Sequence, residues 1–142
     1  MGAEIFVKYM DIEDLSVILQ IWDIGGEELF QFLLPTYSSG SAGAIFMFDV
    51  TRYKTITEIG TWLKMFNEGL KSDEKKERIP IIMVGGKIDL KEQRTVSHEE
   101  SEKICQAHDL YSYIECSSVT GENVGVIFED ITRVILKNHG FI

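Results

Sequence analysis

The sequence predicts an open α/β domain in which a mostly parallel sheet is covered by helices on both faces. Two segments, Ala44 to Phe48 and Ile79 to Val84, are continuous apolar runs without alternation. Such runs are typical of strands that are buried on both faces. Between them, apolar residues recur at helical spacing from Ile56 to Phe66, which indicates an amphipathic helix. The order strand, helix, strand predicts a parallel sheet with a crossover helix.

An antiparallel hairpin is predicted to precede this unit. Glu4 to Tyr9 and Val17 to Trp22 are strand-like runs, and the acidic stretch Asp11 to Asp14 separates them. Two strands with a short polar connection favour a hairpin. A chain of 142 residues has the length of one domain. We therefore expect residues 1–142 to form a single domain.

The first helix is predicted to begin at a capping box. Thr55 and Glu58 stand in the Thr-x-x-Glu arrangement that caps helix N-termini. The segment after this helix, Asn67 to Arg78, is rich in charged residues. We expect it to be an exposed loop.

A second half of the domain follows the same alternation. Ser97 and Glu100 form another capping box, which predicts a helix to about His108. Tyr111 to Cys116 reads as a short strand, and Asn123 is placed as the N-cap of the last helix. The predicted fold therefore ends with a strand and a helix.

The composition indicates an acidic protein that folds into a globular domain. Hydrophobic residues make up 44%, and 14 Lys plus Arg against 23 Asp plus Glu give a net charge of −9. A field of this sign repels phosphate backbones, so we do not expect nucleic acid as a partner. Cys105 and Cys116 form no CxxC motif, which favours reduced thiols in a cytoplasmic protein.

No segment is predicted to span or anchor to a membrane. The longest wholly apolar stretch, Ala42 to Phe48, is far shorter than the roughly 18 residues expected of a membrane helix. There is no terminal cysteine for prenylation. We expect any membrane attachment to come through a partner or through residues beyond these 142.

Candidate functional residues follow three of the predicted strands. Open α/β sheets bind ligands at the carboxyl ends of their strands. The turns in question lie within Trp22 to Glu28, Gly85 to Leu90 and Glu115 to Val124. Each turn taken singly also fits ordinary turn or capping chemistry.

The order of these turns carries the functional signal. They read Trp-Asp-x-Gly-Gly-Glu-Glu, then Gly-x-Lys-x-Asp-Leu, then Glu-Cys-Ser-Ser-x-Thr-Gly-Glu-Asn-Val. With this series the chain resembles the Ras-like small GTPases, which have a P-loop-NTPase-like fold, and most closely their Rab branch. The resemblance includes Phe48-Asp49-Val50-Thr51, whereas Gly25-Gly26 is closer to the Arf branch. It implies a signalling switch, in the Rab branch one of vesicle traffic.

On the phosphate side, the resemblance implies GTP or GDP bound with Mg²⁺. Asp23 would hold Mg²⁺ through water, because a hard cation prefers carboxylate oxygen. Gly26 would offer its backbone N–H to the γ-phosphate, where a side chain would block close approach. Protein effectors and regulators would bind the switch region from Gly26 to Tyr37.

On the base side, the resemblance implies specificity for guanine. Asp89 would accept two hydrogen bonds from guanine, whose donor pair adenine lacks. Lys87 would lay its aliphatic stem over the purine face. Ser117, Ser118 and Val119 would form the loop whose backbone N–H groups meet the guanine oxygen.

Three positions depart from the family pattern. The catalytic glutamine is replaced by Glu27, whose carboxylate the γ-phosphate should repel, so we expect weak or absent hydrolysis. Gly86 replaces the asparagine that contacts the base and ties neighbouring loops together, and Val119 replaces a second base-stacking lysine. Each lost hydrogen bond should weaken guanine binding by about 1–3 kcal/mol.

The phosphate loop itself is not found in these residues. No Gly-x-x-x-x-Gly-Lys-Ser/Thr string occurs in the 142 residues. Met1 to Glu4 matches the stretch just after the family's first switch, so we expect a strand-helix unit of roughly 30 residues to be missing. The strands Val17 to Trp22 and Ala44 to Phe48 would then lack a central neighbour. Three arrangements would supply that neighbour. The 142 residues could be part of a longer chain, the two strands could pair directly, or another molecule, such as a second copy in a dimer, could donate a strand.

Two further interpretations stay open beside a GTPase switch. The altered residues Glu27, Gly86 and Val119 favour a pseudo-GTPase interaction module that does not bind nucleotide. A phosphoacceptor receiver-like domain would use Asp49 at one strand end and Lys87 at the next, but it needs an acidic pair after a first strand that the sequence does not supply.

Overall fold

The computed structural model describes residues 3–25, 34–70 and 79–142. They belong to two compact units, Met1–Ser41 with Thr61–Lys76 and Ala42–Gly60 with Glu77–Ile142. The expectation of one domain stays a prediction. The strands are β1 (Ala3–Ile12), β2 (Leu15–Ile24), β3 (Ala44–Asp49), β4 (Ile81–Gly86) and β5 (Ser112–Glu115). The helices are α1 (Leu34–Ser38), α2 (Tyr53–Thr57), α3 (Ile59–Leu70), α4 (His98–Ala107) and α5 (Val124–Asn138).

The first unit contains the predicted hairpin. β1 and β2 pair antiparallel from Ile12 opposite Leu15 to Ala3 opposite Ile24. The turn between them places Glu13 at a positive φ of 53°, a conformation that tight hairpin turns require. The hairpin prediction is therefore confirmed, with strands longer at both ends than the sequence pattern indicated.

Helical segments complete the first unit. The buried Ser38 hydroxyl, at the end of α1, donates a 2.8 Å hydrogen bond to the carbonyl of Phe66 in α3. A Cβ at Gly69 would collide with the backbone of Pro35. α1 and the Phe66 to Gly69 segment therefore pack backbone against backbone, which only a residue without a side chain permits at that point.

The second unit is built on a parallel sheet of order β3-β4-β5. The core on one face joins Ile82 and Val84 of β4 to Ile131 and Val134 of α5. On the other face, the ring of His98 in α4 lies 5.4 Å from that of Tyr113. This sheet thus has a helix on each face, and the predicted α/β class is confirmed.

Two details of the first predicted helix are wrong. The segment forms two helices, because α2 ends at Thr57 and α3 begins at Ile59. Thr55 caps neither of them. Its hydroxyl donates to the carbonyl of Arg52 at 2.7 Å and accepts from the amide of Asp49 at 3.0 Å. In addition α3 reaches Leu70, so the predicted loop over residues 67–78 is helical in its first four residues.

The other two helix starts lie where the sequence placed them. Ser97 accepts a 3.1 Å hydrogen bond from the amide of Glu100, which confirms this cap. Asn123 precedes α5 with a left-handed φ of 61°, but its side chain does not cap the helix. Its amide group instead donates to the carbonyl of Glu115 at 2.8 Å.

In the described residues, each unit has a sheet of its own. The three alternatives for a further neighbour of β2 and β3 stay predictions. Met47 and Ile45 of β3 have 60% and 38% of their surface exposed. In the part of the chain that the structure describes, no helix is long and apolar enough to cross a membrane.

Candidate functional site

The second unit brings Asp89 and Ser117 together. The Ser117 hydroxyl donates a 2.8 Å hydrogen bond to Oδ1 of Asp89, and it accepts one of 3.1 Å from the amide of Thr120. Ser117 is fully buried, so its hydroxyl has a fixed position. The Asp89 carboxylate is therefore held by one oxygen, while its second oxygen has no hydrogen bond within the described residues.

The parallel register explains why these two turns meet. The amide of Cys116 donates to the carbonyl of Gly85 at 2.8 Å, and the amide of Ile88 donates to the carbonyl of Cys116 at 3.3 Å. These bonds extend the pairing of β4 with β5 past the ends of both strands. The turn that carries Asp89 and the turn that carries Ser117 consequently leave the same edge of the sheet.

Lys87 is paired with an acidic residue from the neighbouring strand. Its Nζ lies 2.9 Å from Oδ2 of Asp49. The Asp49 carboxylate also accepts hydrogen bonds from Thr51, at 2.8 Å from the amide and 2.6 Å from the hydroxyl. Burial alone would raise the pKa of Asp49, but the bonds from Lys87 and Thr51 outweigh it and hold the pKa below its ordinary 3.8.

A second charged group lies just before the Ser117 turn. The guanidinium of Arg94 makes a two-point contact with the carboxylate of Glu115. The Tyr113 hydroxyl donates to the same carboxylate at 2.6 Å, and Nδ1 of His98 lies 3.3 Å from it. Burial raises the pKa of Glu115, yet Arg94 and Tyr113 outweigh burial and lower it below its ordinary 4.5. Burial and the bond to Glu115 raise the pKa of Tyr113.

The remainder of the predicted base loop is open. Val119 has 81% of its surface exposed, and Ser118 is exposed as well. The loop closes through a 2.8 Å hydrogen bond from the amide of Gly121 to the carbonyl of Ser117. Ser118 and Val119 are thus exposed at the outside of the loop, whereas the buried Ser117 anchors it through hydrogen bonds from Thr120 and Gly121.

The predicted phosphate-side residues belong to the first unit. Asp23 is exposed near the end of β2, where it lies opposite Glu4 in the hairpin register. Within residues 3–25, 34–70 and 79–142, no three His, Cys, Asp or Glu residues are grouped as a metal cluster. A single exposed carboxylate fits Mg²⁺ held through water, with other ligands from phosphate and solvent. Gly26 and Glu27 lie outside the described residues.

The predicted partner-binding region, Gly26 to Tyr37, is described from Leu34 onward. The ring of Tyr37 lies 5.1 Å from that of Trp22, and Trp22 has 43% of its surface exposed. A groove of about 340 Å³ runs beside the two rings. Its lining residues are Trp22, Thr36, Tyr37, Ser39, Gly40 and Ser41.

Sequence reasoning missed two contributions to this site. The Asp49–Lys87 ion pair has only a partial signal in the sequence, because both residues follow predicted strands but their pairing depends on the register of β3 against β4. The Arg94–Glu115 contact has no such signal, since residues 21 apart are joined here only by the fold.

A parallel sheet with a helix on each face places this unit in the open α/β class, whose members bind ligands at the carboxyl ends of their strands. Comparison with known proteins gives the family. A sequence model described as the Ras family matches residues 1–137, so the chain belongs to the Ras family.

Two relatives support the resemblance to the Rab branch. The chain is 36% identical over 135 residues to the Ras-related protein Rab-4 of Dictyostelium discoideum, a match that covers 95% of the chain and 63% of that relative. It is 31% identical over 135 residues to the Ras-related protein Rab-10 of Caenorhabditis elegans, with 95% and 64% covered. The chain therefore spans less than two thirds of the length of either relative.

Proposed function

We propose that this chain is a guanine-nucleotide-binding switch domain in which GTP hydrolysis is weak or absent. The observation that carries the proposal is the hydrogen bond of Ser117 to one oxygen of Asp89, 2.8 Å long. It orients a carboxylate at the sheet edge where α/β domains bind ligands. Membership of the Ras family supports the same assignment.

The base would be recognised by Asp89. A carboxylate offers acceptors only, and guanine presents a ring N–H and an exocyclic amine side by side, whereas adenine does not. Lys87, which is mostly exposed, is available to lay its stem over the purine. The exposed loop of Ser118 and Val119 would supply backbone N–H groups to the guanine oxygen.

For the phosphates, the proposal rests on membership of the Ras family. Gly26 would donate its backbone N–H to the γ-phosphate, and Asp23 would hold Mg²⁺ through a water molecule. When bound, Mg²⁺ neutralises part of the phosphate charge. This matters in a chain of net charge −9, whose own field repels the nucleotide.

Hydrolysis would be limited by Glu27. The family's glutamine orients the attacking water, and a carboxylate at that position is repelled by the γ-phosphate. Binding and release of partners, rather than turnover, would then be the output. We place partner proteins on the Gly26 to Tyr37 region, because the tilted pair of Trp22 and Tyr37 exposes aromatic surface beside a groove.

A cytoplasmic location is part of the proposal. Cys105 and Cys116 are buried free thiols, and burial raises the pKa of both, which makes them poor nucleophiles. Such cysteines are ordinary in a reducing compartment.

A pseudo-GTPase module that binds no nucleotide is the second candidate. It is favoured by Glu27, Gly86 and Val119, which stand where the family has its catalytic glutamine and base-contacting side chains. Its function would lie in protein contacts alone.

Titration of the full chain with a fluorescent guanine nucleotide in Mg²⁺ separates the two candidates. Micromolar or tighter binding that Asp89→Ala abolishes supports the switch. No binding at millimolar nucleotide removes the switch and leaves the interaction module.

A further inference from the structure

Asp49 is held rigidly at the carboxyl end of β3. Its Oδ1 accepts from both the amide and the hydroxyl of Thr51, at 2.8 and 2.6 Å. Its own amide donates to the hydroxyl of Thr55 at 3.0 Å. Only 13% of its side-chain surface is exposed. Oδ2 therefore points in one fixed direction, and that direction is occupied by Nζ of Lys87.

Lys87 is in a conformation that needs support. Its φ of 66° lies in the left-handed region, which costs a non-glycine residue free energy. The residue before it, Gly86, has no side chain that could tie this turn to its neighbours. The only side-chain ion pair of Lys87 within the described residues is the 2.9 Å contact with Asp49.

The backbone links the same two segments. The amide of Val50 donates to the carbonyl of Gly86 at 3.1 Å, and the carbonyl of Val50 accepts from Thr95 at 2.8 Å. The segment from Asp49 to Thr51 thus contacts both the Lys87 turn and the chain before α4. The anchored carboxylate of Asp49 therefore lies at the junction of these segments, in contact with Nζ of Lys87.

We propose that Asp49 is a positioning residue for nucleotide binding, which fixes the stem of Lys87 over the purine and supplies the tie that an asparagine at position 86 would otherwise make. The proposal rests on the proposed function. Asp49 itself does not touch the nucleotide. Its effect is expected only when Lys87 is present.

A double-mutant cycle tests this dependence by titration of the full chain with a fluorescent guanine nucleotide. Asp49→Asn keeps the side-chain size and removes the charge, and it should weaken binding about tenfold, the loss of one charge-assisted contact. In a Lys87→Met background the same change should alter affinity less than about twofold. Asp49→Glu should restore part of the loss, and Asp14→Asn in the hairpin turn is the matched control.

A second readout separates positioning from general damage to the fold. A stem over the purine face does not distinguish guanine from hypoxanthine, so Asp49→Asn should weaken GDP and inosine diphosphate by the same factor. Thermal unfolding of each variant reports whether the fold is retained. A fall in affinity of equal size in both lysine backgrounds would show a structural role and overturn the proposal.

The failure of this proposal is distinguishable from that of the proposed function. If the unchanged chain binds no guanine nucleotide, the switch function is wrong and Asp49 has no role toward nucleotide. If the unchanged chain binds and Asp49→Asn binds equally well, the positioning role alone is wrong.

Discussion

The hydroxyl of Ser117 donates a 2.8 Å hydrogen bond to the carboxylate of Asp89, and so joins residues 28 apart in sequence. The bond is buried on the serine side. It fixes one acceptor of Asp89 and leaves the other for a ligand. The specificity that we propose for guanine depends on this orientation.

Ser117→Ala is therefore expected to weaken guanine-nucleotide binding. Loss of one hydrogen bond to a charged group corresponds to about 1.5–3 kcal/mol, which is roughly 10- to 100-fold in affinity. Nucleotide titration measures the change. Ser16→Ala, which removes an exposed hydroxyl in the hairpin, is the control, and equal affinities of Ser117→Ala and the unchanged chain would contradict the assignment.

Gly85→Ala is expected to destabilise the second unit. A Cβ at this position would lie 3.0 Å from Cγ1 of Val50 and would press against the hydroxyl of Tyr113. Overpacking of this kind costs about 1–3 kcal/mol, which urea unfolding detects. Gly125→Ala is the matched change in α5, where a Cβ meets nothing within 4 Å. It should be neutral or stabilising by about 0.5–1 kcal/mol, and equal effects of the two changes would contradict the packing.

The Arg94–Glu115 contact predicts an acid-sensitive component of stability. Because the folded pKa of Glu115 is depressed below its ordinary 4.5, the contribution is present above that value. It is lost as the pH falls through the lower folded pKa. Glu115→Gln should unfold more easily at neutral pH, by about 1–3 kcal/mol.

The same variant should show a flatter pH dependence below 4.5. Urea unfolding of both proteins between neutral and acidic pH measures this difference. Asp130→Asn on α5 provides a carboxylate control outside the contact. Parallel pH profiles for the unchanged chain and Glu115→Gln would show that the contact does not stabilise the fold.

Glu27→Gln is expected to raise the rate of GTP hydrolysis. A neutral amide can orient water without repelling the γ-phosphate. The gain should be roughly 100-fold, the lower end of what a positioned catalytic group contributes. Release of phosphate in a single turnover measures the rate. No change, or a fall, would remove Glu27 as the cause of weak hydrolysis.

Much of the fold could be predicted because its signals are local. The hairpin strands are strand-like runs on either side of an acidic turn, and the parallel strands are continuous apolar runs, so each element carries its own pattern. The cap at Ser97 is equally local, since Glu100 lies one helical turn away. Such features do not depend on the rest of the chain.

Features that depend on spatial neighbours were predicted less well. Thr55 stands in a capping pattern, but its hydroxyl accepts a hydrogen bond from the amide of Asp49 instead of capping a helix. Asn123 is a residue type that often caps helices, but its side chain donates a hydrogen bond to the carbonyl of Glu115 instead. The Asp49–Lys87 pair requires the register of β3 against β4, in which Asp49 is opposite Gly86, and one sequence does not state that register.

The central claim is that Asp89 selects guanine, and competition between GDP and ADP for the full chain tests it most directly. In Mg²⁺, GDP should displace a fluorescent guanine nucleotide at a concentration at least about 100-fold lower than ADP, because a site built for a donor pair rejects a base that lacks it. Asp89→Asn should abolish that preference. Equal displacement by the two nucleotides, or no binding of either at millimolar concentration, would contradict the account.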